Sequence, residues 1–131
     1  MYMTQSHIDE IVSSFPVIFH GNPPTLRKSI ECGDGWFNLV MALCHQLEQY
    51  CKNEGISDMS IIHIKQKMGV LSVLTDTQTK SRTGVGLTEI LAEFRAQSEK
   101  TCEICGKSAE NGIIDNGGKH IAMCQSCREK S

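Results

Sequence analysis

No run of about eighteen uninterrupted apolar residues occurs in this chain, so the sequence offers no candidate for a helix that crosses a membrane. The opening residues, MYMTQSHIDEIVSSFP, place no basic stretch ahead of an apolar one. No secretory signal is read there, and the expected location is the cytoplasm. A basic excess is missing too: 13 Lys and Arg stand against 15 Asp and Glu, for a net charge of −2 and an isoelectric point near 6.2. Proteins that hold a phosphate backbone usually carry a positive surplus, so nucleic acid is not the favoured partner. With 131 residues there is room for one ordinary core and a small satellite, not for a two-domain enzyme with a large cleft.

Against these absences stand seven cysteines, four of them in two Cys-x-x-Cys pairs within CEICGKSAENGIIDNGGKHIAMCQSC, residues 102–127. In a secreted mini-protein such a count would read as a disulfide framework. Without a signal, and with paired spacing, metal ligation is the better reading. Zinc takes four tetrahedral ligands, and each Cys-x-x-Cys turn brings two thiolates to one ion. Cys102, Cys105, Cys124 and Cys127 are therefore expected to hold one structural zinc. Gly106 follows the first pair, where a metal knuckle reverses its backbone. The second pair runs into Arg128, Glu129 and Lys130 and reads as the first turn of a helix. Knuckle, hairpin across Asn116–Gly118 and helix start together favour a treble clef; a zinc ribbon is the alternative. Cys32, Cys44 and Cys51 remain as free thiols.

Four thiolates leave no open position for water, so catalysis at this metal is not expected. Only four residues follow Cys127, too few for the ligand-bearing helix of a His-Asn-His nuclease. His120 reads as a surface residue. Between Glu99 and Ser131 five acids balance five bases, which argues against a finger that grips DNA.

The rest of the chain reads as three helices and a β-hairpin. Ile8, Ile11, Val12 and Phe15 give a helical stripe over residues 7–15, with Ser6 as its cap and Pro16 as its end. The turn-rich stretch from Val17 to Gly33 receives no element. CGDGWFNLVMALCHQLEQYCKNEG is the strongest helix, with Asp34 as cap and Gly55 as its left-handed terminator. Its buried face is Trp36, Leu39, Val40, Leu43, Leu47, Tyr50 and Cys51, and Asn38, His45, Gln49 and Lys52 form the solvated stripe. Phe37 and Met41 lie beside that stripe, either covered by another element or exposed as a partner-binding edge. Ile61–Gln66 and Val70–Thr75 read as strands joined near Gly69, with Ile62 and Ile64 on one face and His63, Lys65 and Lys67 on the other. Lys80 and Arg82 sit in a polar loop. A third helix covers residues 87–100, with Leu87, Ile90, Leu91 and Phe94 inward, and leads straight into Cys102.

The segments GDGWFNLVMALC, IHIKQKMGVLSVL, LTEILAEFRAQSEKTCEICG and MCQSC, in that order over residues 32–127, resemble a recurring group of small phage and prophage proteins with a C-terminal zinc finger. Met68 stands where that pattern has an aromatic residue. The resemblance implies an architecture and a host-cell setting, not an activity. The reading is an α+β fold in one compact unit, a helical and hairpin core at 1–100 and a zinc module at 101–131 packed on it. Its expected function is non-enzymatic protein binding, and the phage setting that the resemblance implies makes host defence or transcription machinery the expected target of binding or inhibition. Phe37, Met41, Lys65, Lys67, Lys80 and Arg82 are the candidate partner surface. The alternative is a nucleic-acid-binding regulator that uses the same basic residues. The core around Trp36 is expected not to depend on the ion.

Overall fold

The computed structural model describes residues 3–19, 30–76 and 85–130. Lys80 and Arg82 lie outside them. Helix α1 spans Gln5–Ser14, the short strand β1 Ile30–Glu31, a 3₁₀ turn Asp34–Trp36, and helix α2 Phe37–Glu54. Strands β2 (Ser60–Lys67) and β3 (Val70–Asp76), helix α3 (Val85–Ser98), strands β4 (Ile113–Asn116) and β5 (Lys119–Ala122), and helix α4 (Gln125–Lys130) follow. The fold is α+β: four helices among the described residues, a mixed sheet ordered β1-β2-β3, and a separate β4-β5 hairpin.

α2 is the centre of the core because its apolar positions recur at helical period. Leu39, Val40, Leu43, Leu47 and Cys51 are buried, joined by Cys44, while Asn38, His45, Gln49 and Lys52 face solvent. The helix ends as its sequence dictates. Gly55 takes φ 68°, its N–H returns to the Lys52 carbonyl at 3.4 Å and the Ile56 N–H to the Cys51 carbonyl at 2.8 Å, a Schellman closure that satisfies two carbonyls of the last turn. Ile11 and Ile18 from the N-terminal segment, Ile64 and Leu71 from the sheet, and Phe94 from α3 complete the core.

The start of α2 departs from expectation. Asp34 does not cap its own helix; its carboxylate accepts the Thr4 N–H at 2.7 Å and meets His7 Nδ1 at 2.9 Å, so it holds the start of α1 instead. Ser6 lies inside α1, and Thr4 is the residue at its cap position.

The β2–β3 hairpin turns at Met68 and Gly69, both at positive φ (55° and 90°), the two-residue geometry that follows the right-handed twist of the strands. Antiparallel pairing runs from Lys67–Val70 to Ser60–Asp76, with a bulge between Ile61 and His63. The bulge corrects the strict alternation read from the sequence. Ile61 and Ile64 are buried, whereas Ile62 is 42% exposed, because one extra residue on the bulged strand moves the side chains before it to the opposite face. β1 is too short to be seen in a sequence pattern, yet it pairs parallel to β2 through Ile30–Ile64 and Glu31–Lys65.

Candidate metal centre

After α3 the chain tightens through the Thr101 N–H to the Ser98 carbonyl and enters the first cysteine pair. The Cys102 N–H donates to the Lys107 carbonyl at 2.7 Å and the Gly106 N–H to the Cys102 carbonyl at 2.9 Å, which closes a compact knuckle. Gly106 sits at φ 84°, a conformation that favours glycine. The second pair comes from a different element. Cys124 precedes α4, Cys127 lies in its first turn, and the Arg128 N–H donates to the Cys124 carbonyl at 3.0 Å. Between them, Gly117 and Gly118, both at positive φ, turn the β4–β5 hairpin, and the Asp115 carboxylate accepts the Gly118 N–H.

This arrangement brings the sulfurs of Cys102, Cys105, Cys124 and Cys127 within 4.8 Å of one another, with Cys105 and Cys124 at 3.5 Å. A tetrahedron with metal–sulfur bonds of about 2.3 Å has edges of about 3.8 Å, so the four atoms fit the shell of one ion. Burial opposes ionisation of Cys102, but backbone N–H groups of Cys124, Cys105 and Ile104 outweigh it and bring its thiol down to about 7. Burial and the three neighbouring sulfurs push Cys127 up to about 12. Four thiols this close cannot all ionise without a cation among them; donor set and geometry fit a zinc module.

Glu103, inside the first Cys-x-x-Cys, is the feature sequence reasoning missed. It is 2% exposed and reaches three parts of the fold. Its N–H donates to the Ala122 carbonyl at 2.8 Å, and its own carbonyl accepts the Gly35 N–H at 2.8 Å. The carboxylate accepts the Gly33 N–H at 2.9 Å and the Gln66 amide at 3.3 Å. Gln66 also donates to the His120 carbonyl at 2.7 Å and accepts the Gly69 N–H, binding the tip of the large hairpin to the small one. Burial pushes the Glu103 carboxyl up, and the Gly33 and Gln66 donors pull it back.

The knuckle is therefore seated on the GDGW stretch. A Cβ on Gly35 would stand 2.3 Å from the Cys102 carbonyl oxygen and 2.6 Å from Glu103 backbone atoms, so only glycine permits this approach. The Trp36 indole N–H donates to the Thr101 carbonyl at 2.9 Å. This hydrogen bond joins the Trp36 core to the residue that precedes the metal module. A glycine between Asp34 and a buried tryptophan was a readable sign of close approach; nothing in the sequence marked Glu103.

Of the other residues singled out, Phe37 stacks on His7 at 4.1 Å between ring centroids and, like Met41, is half-buried against the core. Lys65 is half-buried and Lys67 exposed on β2; His120 is exposed, and His63 is half-buried with Nδ1 secluded from solvent. Ile104 is exposed at the knuckle, while Ile121 and Met123 join Cys102 and Cys124 in a small buried cluster. Cys32, Cys44 and Cys51 are buried thiols; burial first, then the Glu103 and Asp34 charges, push Cys32 up to about 12. Among the described residues no helix is long and apolar enough to cross a membrane. No family model, curated protein or solved structure matches the chain.

Proposed function

We infer that the chain is a non-enzymatic protein-binding protein whose C-terminal module is a treble clef stapled by one zinc ion. The observation that carries this reading is the composition of the shell. All four positions are cysteine sulfurs within reach of a single ion, which leaves a bound zinc no site for water or substrate. The ion's contribution is to folding, where structural zinc sites in small modules supply on the order of 10 kcal/mol of apparent binding energy. The placement of Cys127 on α4, after a knuckle and a hairpin, supports a treble clef over a ribbon.

With the metal assigned to structure, function falls to the surface. The β2–β3 hairpin exposes Ile62 (42%), Leu74 (46%) and Met68 (66%) beside Lys65 and Lys67. Apolar side chains rimmed by cations are what a protein interface uses. Phe37 and Met41 are weaker candidates, since His7 and the core already cover part of them. The likeness to phage proteins makes a host defence or transcription complex the partner class to examine first.

A tagged full-length chain, incubated with bacterial lysate in nuclease-treated and untreated halves, tests the reading. A protein recovered equally from both halves is the expected result. Recovery only from the untreated half would put nucleic-acid binding through the lysines in its place.

A further inference from the structure

β3 is the outer strand of its sheet: β2 pairs with one side, and among the described residues no strand pairs with the other. The hairpin turn has two residues, so Lys67 and Val70 form a hydrogen-bonded pair, and ladder alternation turns the backbone groups of Leu71 and Val73 outward. The Leu71 N–H follows that direction and donates to Ser98 Oγ of α3 at 2.9 Å. Among the described residues no strand pairs with the Leu71 carbonyl or with either backbone group of Val73.

Along this edge runs a groove of about 530 Å³ between β3 and one stripe of α3, floored by Val73, Leu91 and Ala92. That volume lies within the range of about 300–1,000 Å³ in which proteins hold ligands. Lys67 and Arg95 line it at the hairpin-tip end, where Arg95 stands one turn before the Ser98 that reaches Leu71. Both side chains are exposed, and among the described residues neither is ion-paired.

We propose that this groove binds an extended segment of a partner protein, added as a strand on the outer edge of β3, apolar along most of its length and acidic at the end that meets Lys67 and Arg95. The proposal rests on the protein-binding reading and names its site. Three ladder groups supply the pairing of an added strand, the apolar floor takes alternate side chains, and the two cations set the orientation. A single strand fits better than a second copy of this chain. α3 already approaches the edge closely enough for Ser98 to take the Leu71 N–H, and a second copy would have to bring its own α3 into the same space.

The test is selection of displayed random heptapeptides on the zinc-loaded full-length chain, followed by fluorescence polarisation and amide NMR with the enriched peptides. Enriched sequences should pair an acidic end with β-branched residues and shift the Val73 amide. They should bind at least tenfold more weakly to Lys67→Glu/Arg95→Glu, whose two exposed sites leave the core untouched, and proline at the central peptide position should weaken them similarly. Absence of enrichment, basic consensus sequences, unchanged affinity for the double variant or shifts confined to other surfaces would overturn the proposal. So would a dimer in sedimentation that the double variant disrupts, or a single-stranded 20-nucleotide RNA that needs the same two residues. If a partner recovered from lysate still binds the double variant, the protein-binding reading stands and this site for it falls.

Discussion

The Trp36 indole N–H donates to the Thr101 carbonyl at 2.9 Å, so a fully buried aromatic of the main core is hydrogen-bonded to the residue just before the first clustered cysteine. The metal module and the helical core therefore share a seam. Its other stitches are the Gly33 and Gly35 amides on Glu103 and the Gln66 amide on the carbonyl of His120.

Gly35→Ala should be among the most damaging single-methyl additions in the chain. The new Cβ would fall 2.3 Å from a backbone oxygen that cannot swing aside. Overpacking of this kind costs about 1–3 kcal/mol and here should also weaken zinc binding. Gly117→Ala is the control. Nothing lies within 4 Å of its Cβ, and only its φ of 65° opposes the change, at roughly 1–2 kcal/mol. Urea unfolding of both variants, with a zinc competition assay, checks the contrast: Gly117→Ala should lose less of both stability and zinc affinity than Gly35→Ala.

Glu103→Gln keeps the volume but offers one acceptor where the carboxylate offers two. If the new amide turns its NH2 toward Gly33, that N–H loses its acceptor in a buried site, at a cost of about 1–3 kcal/mol; turned the other way, it leaves the Gln66 amide with the His120 carbonyl alone, at a smaller cost. Thermal unfolding of the zinc-loaded proteins measures it. A variant as stable as the parent would show that the carboxylate is not a tie between the two parts.

Thiol reactivity should separate the seven cysteines into two classes. At pH 8 a thiol pushed up to about 12, like Cys32, is almost wholly protonated, and burial hides it from reagent as well. Burial raises Cys44 and Cys51 likewise. With chelator present the metal module should open, removing the burial and parting the clustered sulfurs that hold Cys127 up. A chromogenic disulfide reagent should then titrate Cys102, Cys105, Cys124 and Cys127 quickly, and the remaining three of the seven only in denaturant. Seven fast thiols would mean that the core opens whenever the metal leaves.

How much of this could be read from the sequence depends on the range of the interaction that decides each feature. α2 was legible because one periodic pattern, closed by Gly55, sets both its length and its buried face. The cysteine cluster was legible because Cys-x-x-Cys spacing is local on each side, although the sequence alone could not decide between clef and ribbon. β1 was hidden because two residues carry no period, and the exposure of Ile62 because a bulge leaves no mark in an alternating run. Asp34 looked like a cap for its own helix; only the folded chain brings Thr4 to it. Glu103 was invisible for the same reason: its partners are Gly33 and Gln66, 70 and 37 residues away.

If a metal held by Cys102, Cys105, Cys124 and Cys127 fixes the knuckle on which the GDGW stretch rests, its loss must be felt at Gly33 and Gly35. Amide hydrogen exchange on the full-length protein, with and without a zinc chelator and alongside elemental analysis of the starting material, tests it most directly. One zinc per chain is expected. Its removal should strip protection from residues 101–127 together with the Gly33 and Gly35 amides, whose acceptors are on Glu103, while the middle of α2 stays protected. Gly33 and Gly35 amides that exchange at the same rate with and without zinc would show that the knuckle keeps its seat without the ion.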